Sequence, residues 1–280
     1  EEGSFNFLNP DDTPIEFSGD RLINISTRLF TGTDFNRAIA GFTIEGDAPK
    51  TILITAKGWD LRNQGFENFL LDGILDLYRG DEVIGTSDDW VDQANADLIE
   101  ATGVAPAGVY DPAMMVVLEP GAYTAIVSPK FEIDQGIAVV EVYEVNNGVI
   151  DQASQLTNIS TRGEVGTGES RMIGGFVVNG SEAQKIYVRS TGPSLDIPGA
   201  NLLQDPMLSI RDADGVEIAS NDNWRDAANV ADIEATGIPP ANDAEAGIIV
   251  SLDPGIYTVI VEGADGGMGL ATVEIYKSED

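Results

Sequence analysis

The chain states one pattern twice. Leu22-Ile23-Asn24-Ile25-Ser26-Thr27-Arg28 returns as Leu156-Thr157-Asn158-Ile159-Ser160-Thr161-Arg162. Asp88-Asp89-Trp90 returns as Asp222-Asn223-Trp224, and Pro120-Gly121-Ala122-Tyr123-Thr124 as Pro254-Gly255-Ile256-Tyr257-Thr258. The offset is 134 residues at all three places, so the copies align with almost no net gap. Such an internal repeat fixes domain count and boundaries before any secondary structure is assigned. It predicts an N-terminal arm at 1–20, one unit at 21–144, a linker at 145–155 and a second unit at 156–280. Each unit falls in the usual domain size range and is long enough to bury a core of its own. The repeat is also an internal control. Features in both copies are expected to serve folding, and features in one copy only are candidates for function.

Within each copy the pattern is strand-like. Short alternating or continuous apolar segments are separated by clusters of Gly, Pro, Asp and Asn. Strands are predicted at 34–44, 50–58, 73–79, 82–87, 114–118, 121–128 and 136–144, and in the second copy at 169–178, 184–190, 207–211, 217–220, 247–252, 255–262 and 269–276. Glu119-Pro120-Gly121 and Asp253-Pro254-Gly255 suit type II turns, where Pro fixes φ and Gly supplies a positive φ. The exceptions are 90–101 and 224–235, where apolar residues recur at roughly helical spacing. Asp88 and Asp222 stand before them as N-cap candidates, with Gly103 and Gly237 after them as stops. The predicted class is all-β: two tandem antiparallel β-sandwich, jelly-roll-like domains, each with one short helix. The short linker places the two close together. In the arm, Phe5-Asn6-Phe7-Leu8 alternates weakly and is expected to form an added strand.

Charge narrows the partners. Asp and Glu total 47 against 15 Lys and Arg, a net charge of −32. Nucleic acid is not expected, because phosphate binding needs clustered cations. An anionic membrane surface is disfavoured for the same reason, and no apolar run reaches the ~20 residues of a membrane-spanning helix. Solubility in a salty or calcium-containing exterior accounts for the charge, with an acidic surface for a cationic ligand as the alternative. With no Cys and no His, thiol chemistry, Ser-His-Asp devices and His-based zinc sites are excluded. Carboxylate pairs of the glycosidase kind occur by chance among so many acids. Glu1-Glu2-Gly3-Ser4 reads as a mature end left after removal of a signal peptide, or as a trimmed boundary.

The second copy runs Gly166-Thr167-Gly168, Ile173-Gly174-Gly175-Phe176-Val177-Val178, Gly192-Pro193-Ser194-Leu195, Asp205-Pro206-Met207-Leu208-Ser209-Ile210 and Ala219-Ser220-Asn221-Asp222, closing with Pro254-Gly255-Ile256-Tyr257-Thr258. This resembles a tandem module of large secreted and surface proteins of environmental bacteria. Its later part is similar to the C-terminal pre-peptidase type of β-sandwich. The first copy departs from the pattern, with Gly58-Trp59-Asp60 in place of Gly192-Pro193-Ser194. The resemblance implies an extracellular or cell-surface, non-catalytic role in attachment, spacing or assembly, and no defined substrate.

Candidate residues follow from the control. Trp90 and Trp224 occupy equivalent places and are read as a structural pair in the core. Trp59, Phe66 and Phe69 have no aromatic counterparts in the second copy. They are read as an inter-subunit contact, a sugar-stacking platform or local core. Asp212 and Asp214 in a hairpin turn, with Asn221 and Asp222, form a conceivable oxygen-only calcium set, although Asp-Gly turns are also the default chemistry of hairpins. No other cofactor is expected. Arg79-Gly80-Asp81 and the three Asn-x-Ser triplets read as turn chemistry and unmodified sequence. The leading expectation is a structural subunit that polymerises as a fibre, tube or surface layer, with contacts at Phe5, Phe7, Leu8 and at Trp59, Phe66, Phe69. One route is strand addition from residues 4–8 to a neighbour's sheet edge. The alternatives are a polysaccharide-binding or adhesin module and an accessory region of a secreted hydrolase.

Overall fold

The computed structural model describes residues 21–145 and 154–278. The strand expected at Phe5, Phe7 and Leu8, and most of the expected linker, lie outside the described residues. The first repeat supplies β1 (Arg21–Thr31), β2 (Ala38–Gly46), β3 (Lys50–Lys57), β4 (Gly73–Arg79), β5 (Glu82–Ser87), β6 (Ala113–Leu118), β7 (Gly121–Pro129) and β8 (Gly136–Glu144). The second supplies β9 (Ser154–Val165), β10 (Met172–Asn179), β11 (Gln184–Thr191), β12 (Pro206–Arg211), β13 (Glu217–Asn221), β14 (Ala246–Leu252), β15 (Gly255–Gly263) and β16 (Gly269–Lys277). The all-β sandwich expectation holds. β1 and β9, which carry the repeated Asn-Ile-Ser-Thr-Arg, are strands that alternation alone did not mark, because polar residues occupy both of their faces. Ser154 and Gln155, assigned to the linker by sequence, begin β9.

The strands form two ribbons. One runs β5-β4-β7-β2-β9-β16-β11-β14 and the other β13-β12-β15-β10-β1-β8-β3-β6, and all these neighbours are antiparallel. Half of each ribbon therefore comes from each repeat. The first strand of a repeat lies between its own last strand and the second strand of the other repeat: β1 between β8 and β10, β9 between β16 and β2. The exchange is two-fold symmetric in register. Arg28 lies opposite Ile173, and its counterpart Arg162 lies opposite Ile39, the counterpart of Ile173. Where β1 and β9 cross, Thr27 Oγ1 and Thr161 Oγ1 are 2.8 Å apart, a hydrogen bond between two copies of the same residue. The ribbons touch in register at one bridge, Phe30 to Glu164.

One core results. A single buried cluster runs from Leu29, Phe42 and Ile54 of the first repeat to Phe176, Val188 and Ile275 of the second. The expectation that each copy closes a core of its own is corrected: β1 and β9 are central strands, and neither repeat has its full sheet complement without the other. The crossing is close-packed. A Cβ at Gly163 would lie 2.2 Å from Leu29 Cδ1, so β9 carries glycine where β1 carries a fully buried leucine. Burying that leucine side chain is worth about 2 kcal/mol. The chain turns from β1 to β2, and from β9 to β10, through matching 3-10 corners. Each holds one residue at positive φ, Asp34 in the first and Gly168 in the second, so that β1 and β2 enter different ribbons.

The exchanged strand β9 is anchored where it enters. Lys50, buried in β3, places Nζ 3.3 Å from Glu144 Oε2 and donates to the Ser154 carbonyl at 2.6 Å. Glu144 Oε1 accepts from Leu156 N at 2.7 Å. A buried ion pair of this kind is strongly destabilising to break, because the remaining charge has no water.

The helices differ from expectation. Each predicted segment splits into a 3-10 turn and a short helix: Trp90–Asp92 then α2 (Ala96–Ala101), and Trp224–Asp226 then α3 (Val230–Ala235). Asp88 and Asp222 are not their caps; Asn95 and Asn229 hold the cap positions and use their side chains to donate to the Met115 and Ile249 carbonyls. Gly103 and Gly237, both at φ 74°, end the helices as expected. The first repeat has an additional helix, α1 (Trp59–Asn63), in the connection between β3 and β4, where no helix was expected.

Candidate functional site

The aromatic residues peculiar to the first repeat lie on and after α1. Trp59 is half-buried, its ring 5.5 Å from that of Phe69, and its Nε1 donates to the Leu71 carbonyl at 3.0 Å. Phe66 and Phe69 pack on a small buried cluster of Leu61, Ile137 and Val139. The Arg62 guanidinium sits 5.0 Å from the Trp59 ring centre and that of Arg28 4.9 Å from Phe66. Trp59 and Phe69 are tilted against each other, Trp59 and Phe66 each carry a guanidinium over the ring, and Phe66 and Phe69 rest on their own strand surface, which is the geometry of local core. Trp90 and Trp224 are also placed as a structural pair. Each packs on its helix, and each indole donates to an equivalent carbonyl, Gly108 at 3.0 Å and Asn242 at 3.1 Å.

Beside α1 the outer face of β3 and β8 forms a pocket of about 310 Å³. Glu141, almost wholly buried on its floor, accepts from Thr55 Oγ1 at 3.0 Å and pairs with Lys57 Nζ at 2.7 Å. The Lys57 ammonium lies 5.9 Å from the Tyr143 ring centre. Burial and the adjacent Glu141 carboxylate push the Tyr143 phenol far above its ordinary range. Asp60, Leu61 and Val104 close the sides. The second repeat builds the same face with an arginine laid across it. There Arg189 lies opposite Glu274 as Thr55 lies opposite Glu141. Arg189 Nε donates to Glu274 Oε2, Nη1 to the Ile238 carbonyl at 2.6 Å and Nη2 to Tyr276 Oη at 3.4 Å. Tyr276 in turn donates to Glu274 Oε1 at 3.1 Å.

Two buried carboxylates at one repeat position fix the connections below these faces. Glu245 Oε1 accepts from Gly192 N and Ser194 N at 3.0 Å and from Ser194 Oγ at 2.6 Å, and its Oε2 accepts from Asn242 N at 3.1 Å. Among the described residues, Asp111 accepts only from Gly58 N at 3.0 Å and Trp59 N at 3.3 Å, through Oδ1. Burial pushes the Asp111 carboxyl up to about 7, against the lowering effect of those two amides.

The expected calcium set is not assembled. Asp212 Oδ1 accepts from Asp214 N at 3.0 Å and Val216 N at 2.9 Å, so it closes its own exposed hairpin. Asn221 Oδ1 accepts from Gly247 N at 2.9 Å, and its amide donates to the Asn223 carbonyl at 3.0 Å. Asp222 instead faces Asp205, and burial followed by that neighbour raises its carboxyl above the usual range. Among the described residues, the group of three carboxylates whose oxygens approach within 4.8 Å is Asp72, Asp88 and Asp89. It already holds a cation, Lys130 Nζ, 2.8 Å from Asp88 and 3.3 Å from Asp72.

Among the described residues, the ribbons end on unpaired edges: β5 and β6 at the first repeat, β13 and β14 at the second. Val83 and Ile84 on β5, Val117 on β6 and Ile218 on β13 are exposed there.

Sequence reasoning marked Trp59, Phe66 and Phe69 but passed over Lys57, Glu141, Arg189, Glu274, Asp111 and Glu245. The signal was available for the last two, since both carboxylates fall at the 134-residue offset.

No family model matches the chain, and no curated protein matches it. Among solved structures, the infectious bursal disease virus VP2 subviral particle aligns over 97% of this chain and 75% of that one, at 10% identity and a TM-score of 0.18. T=1 particles derived from the same virus align over 97% and 74%, at 10% identity and a TM-score of 0.19. Superposition at this level is too poor to carry an argument about fold or function.

Proposed function

We propose that the chain is a non-catalytic, extracellular or cell-surface structural subunit that self-assembles. The observation that carries this reading is the pair of pseudo-equivalent sheet ends. Strand exchange joins the repeats into one body, and among the described residues each end of that body presents unpaired edges with exposed apolar residues. Unpaired edge strands are templates for another chain. A body with an edge at each end adds copies without closing a ring, which generates a fibre, tube or layer. The likeness of the repeat to secreted β-sandwich modules supports the same reading, as does the strongly acidic composition. Two partners suit the edges: an edge of the next subunit, or the arm at 1–20 added as a strand.

Electron microscopy and sedimentation of the purified chain test this. Oligomers or filaments are expected, and the double variant Ile84→Lys/Ile218→Lys should abolish them while circular dichroism stays unchanged. Deleting residues 1–20 assigns the partner: lost assembly identifies the arm, retained assembly the edge. A chain that stays monomeric at all concentrations sinks the proposal.

A further inference from the structure

We infer that the pocket on the outer face of β3 and β8 is a binding site for a guanidinium group carried on an alkyl chain. The inference goes beyond the assembly reading and does not depend on it. It comes from reading the second repeat as the occupied form of the first. In the second repeat a guanidinium occupies this position from within, bonded to a carboxylate, a tyrosine hydroxyl and a backbone carbonyl: Glu274, Tyr276 and Ile238. The first repeat has the same three partners in Glu141, Tyr143 and Val104, and all three line the pocket. What it lacks is the guanidinium, because Thr55 stands where the second repeat has Arg189.

Charge agrees. Lys57 pairs with Glu141, but it comes from the next position on the same face of β3, about 6.5 Å further along the strand. Lys57 and the Thr55 hydroxyl both meet the carboxylate at Oε2, so a guanidinium entering along the arginine-equivalent path has the small Thr55 hydroxyl to share that oxygen with and no long side chain in its way. The first repeat also carries Asp60 on the pocket wall, where the second carries the neutral Ser194. One lysine against two carboxylates leaves the pocket one negative charge in excess. An anionic ligand would meet that excess, whereas a planar cation is drawn in, as the acidic surface around it also favours. A guanidinium suits the site better than an ammonium because its fork of donors serves a carboxylate and a carbonyl at once. The apolar walls Leu61 and Val104 accommodate the alkyl stem.

Calorimetric titration of the full chain with agmatine, butylamine and butylurea tests the site. Agmatine should bind at least 10-fold tighter than butylamine, and the neutral butylurea should not bind. The double variant Thr55→Arg/Lys57→Thr installs the second repeat's residues, closes the pocket from within and leaves net charge unchanged. Agmatine binding should fall by 10-fold or more in it, although any non-specific attraction to the acidic surface is retained. If that variant fails to fold, Ala105→Trp, at a half-exposed position on the pocket wall, blocks the opening without touching the ion pair. Acetyl-arginine amide distinguishes the sources: binding equal to that of agmatine assigns the pocket to an arginine side chain, and binding of agmatine alone assigns it to a free amine-guanidine. No saturable agmatine binding, equal binding of butylamine, or undiminished binding in the blocked variant overturns the inference.

Discussion

The two repeats are versions of one sandwich, and they differ most where polar groups are buried. In the second, Glu245 receives four hydrogen bonds and Arg189 satisfies Glu274, Tyr276 and a carbonyl at once. In the first, the shorter Asp111 receives two, its Oδ2 is buried without a partner among the described residues, and Thr55 leaves a pocket. At these two positions the second repeat is the better satisfied. The first keeps unmet polar capacity there, which in a native structure calls for an explanation. Since both share one core, the second can support the first while the first keeps a less satisfied site.

The sharpest way to break this comparison is to remove the two carboxylates in turn. Glu245→Ala strips the acceptor from three backbone amides and a hydroxyl, and should cost about 3–5 kcal/mol in urea unfolding. Asp111→Ala should cost about half as much, because fewer donors are stranded. Equal losses would show that the two positions are equivalent after all. The difference should also appear as pH dependence. The folded Asp111 pKa of about 7 lies above the ordinary carboxyl value of 3.8. Its stabilising contribution is therefore fully present below about pH 4 and is lost as pH rises through about 7. Asp111→Asn removes that titration, so its Tm should fall less steeply than that of the parent between those limits. Parallel Tm-against-pH curves would contradict the assigned shift.

What could be read in advance follows the same division. The repeat, the strands with clean alternation and the Gly stops at 103 and 237 are local signals, and the structure matches them. The exchange of β1 and β9 was not legible, because pairing partners are non-local and the same side chains would suit either neighbour. The opening motif Asn-Ile-Ser-Thr-Arg lies on those central strands, so the most visible signature of the sequence belongs to the element that joins the repeats. The pocket was hidden for a related reason. Thr55 and Arg189 fall at the 134-residue offset, but Glu141 and Glu274 are 133 residues apart, and only the strand register shows that these carboxylates face equivalent positions.

The crossing itself provides a smaller, symmetric test. Thr27→Val and Thr161→Val should each cost about 1–2 kcal/mol, since each leaves the other hydroxyl buried without its partner. The double variant should cost less than the sum, as both polar groups are then gone. Additive losses would mean that the hydroxyls do not bond each other and that the two-fold axis lies elsewhere.

The smallest effect is expected where the first repeat is the better satisfied one. Lys130 bridges Asp72 and Asp88, while the matching Ala264 makes the same backbone bond, its N to the Asp205 carbonyl at 2.8 Å, and brings no cation to Asp205 and Asp222. Burial and the neighbouring Asp205 leave the Asp222 carboxyl raised, so Asp222 opposes folding increasingly as pH rises and it ionises. Ala264→Lys should supply the missing ammonium, lower the Asp222 pKa and raise Tm by roughly 1–2 °C at pH 8, with the gain shrinking as pH falls and the Asp222 carboxyl takes its proton. Lys130→Ala should do the reverse in the first repeat, lowering Tm most at pH 8 and less as pH falls and the Asp72 carboxyl takes its proton. The two substitutions interchange the electrostatics of equivalent sites. If neither moves the alkaline side of the stability curve, the lysine is a surface ornament of the first repeat and the carboxylates at both positions are held by solvent alone.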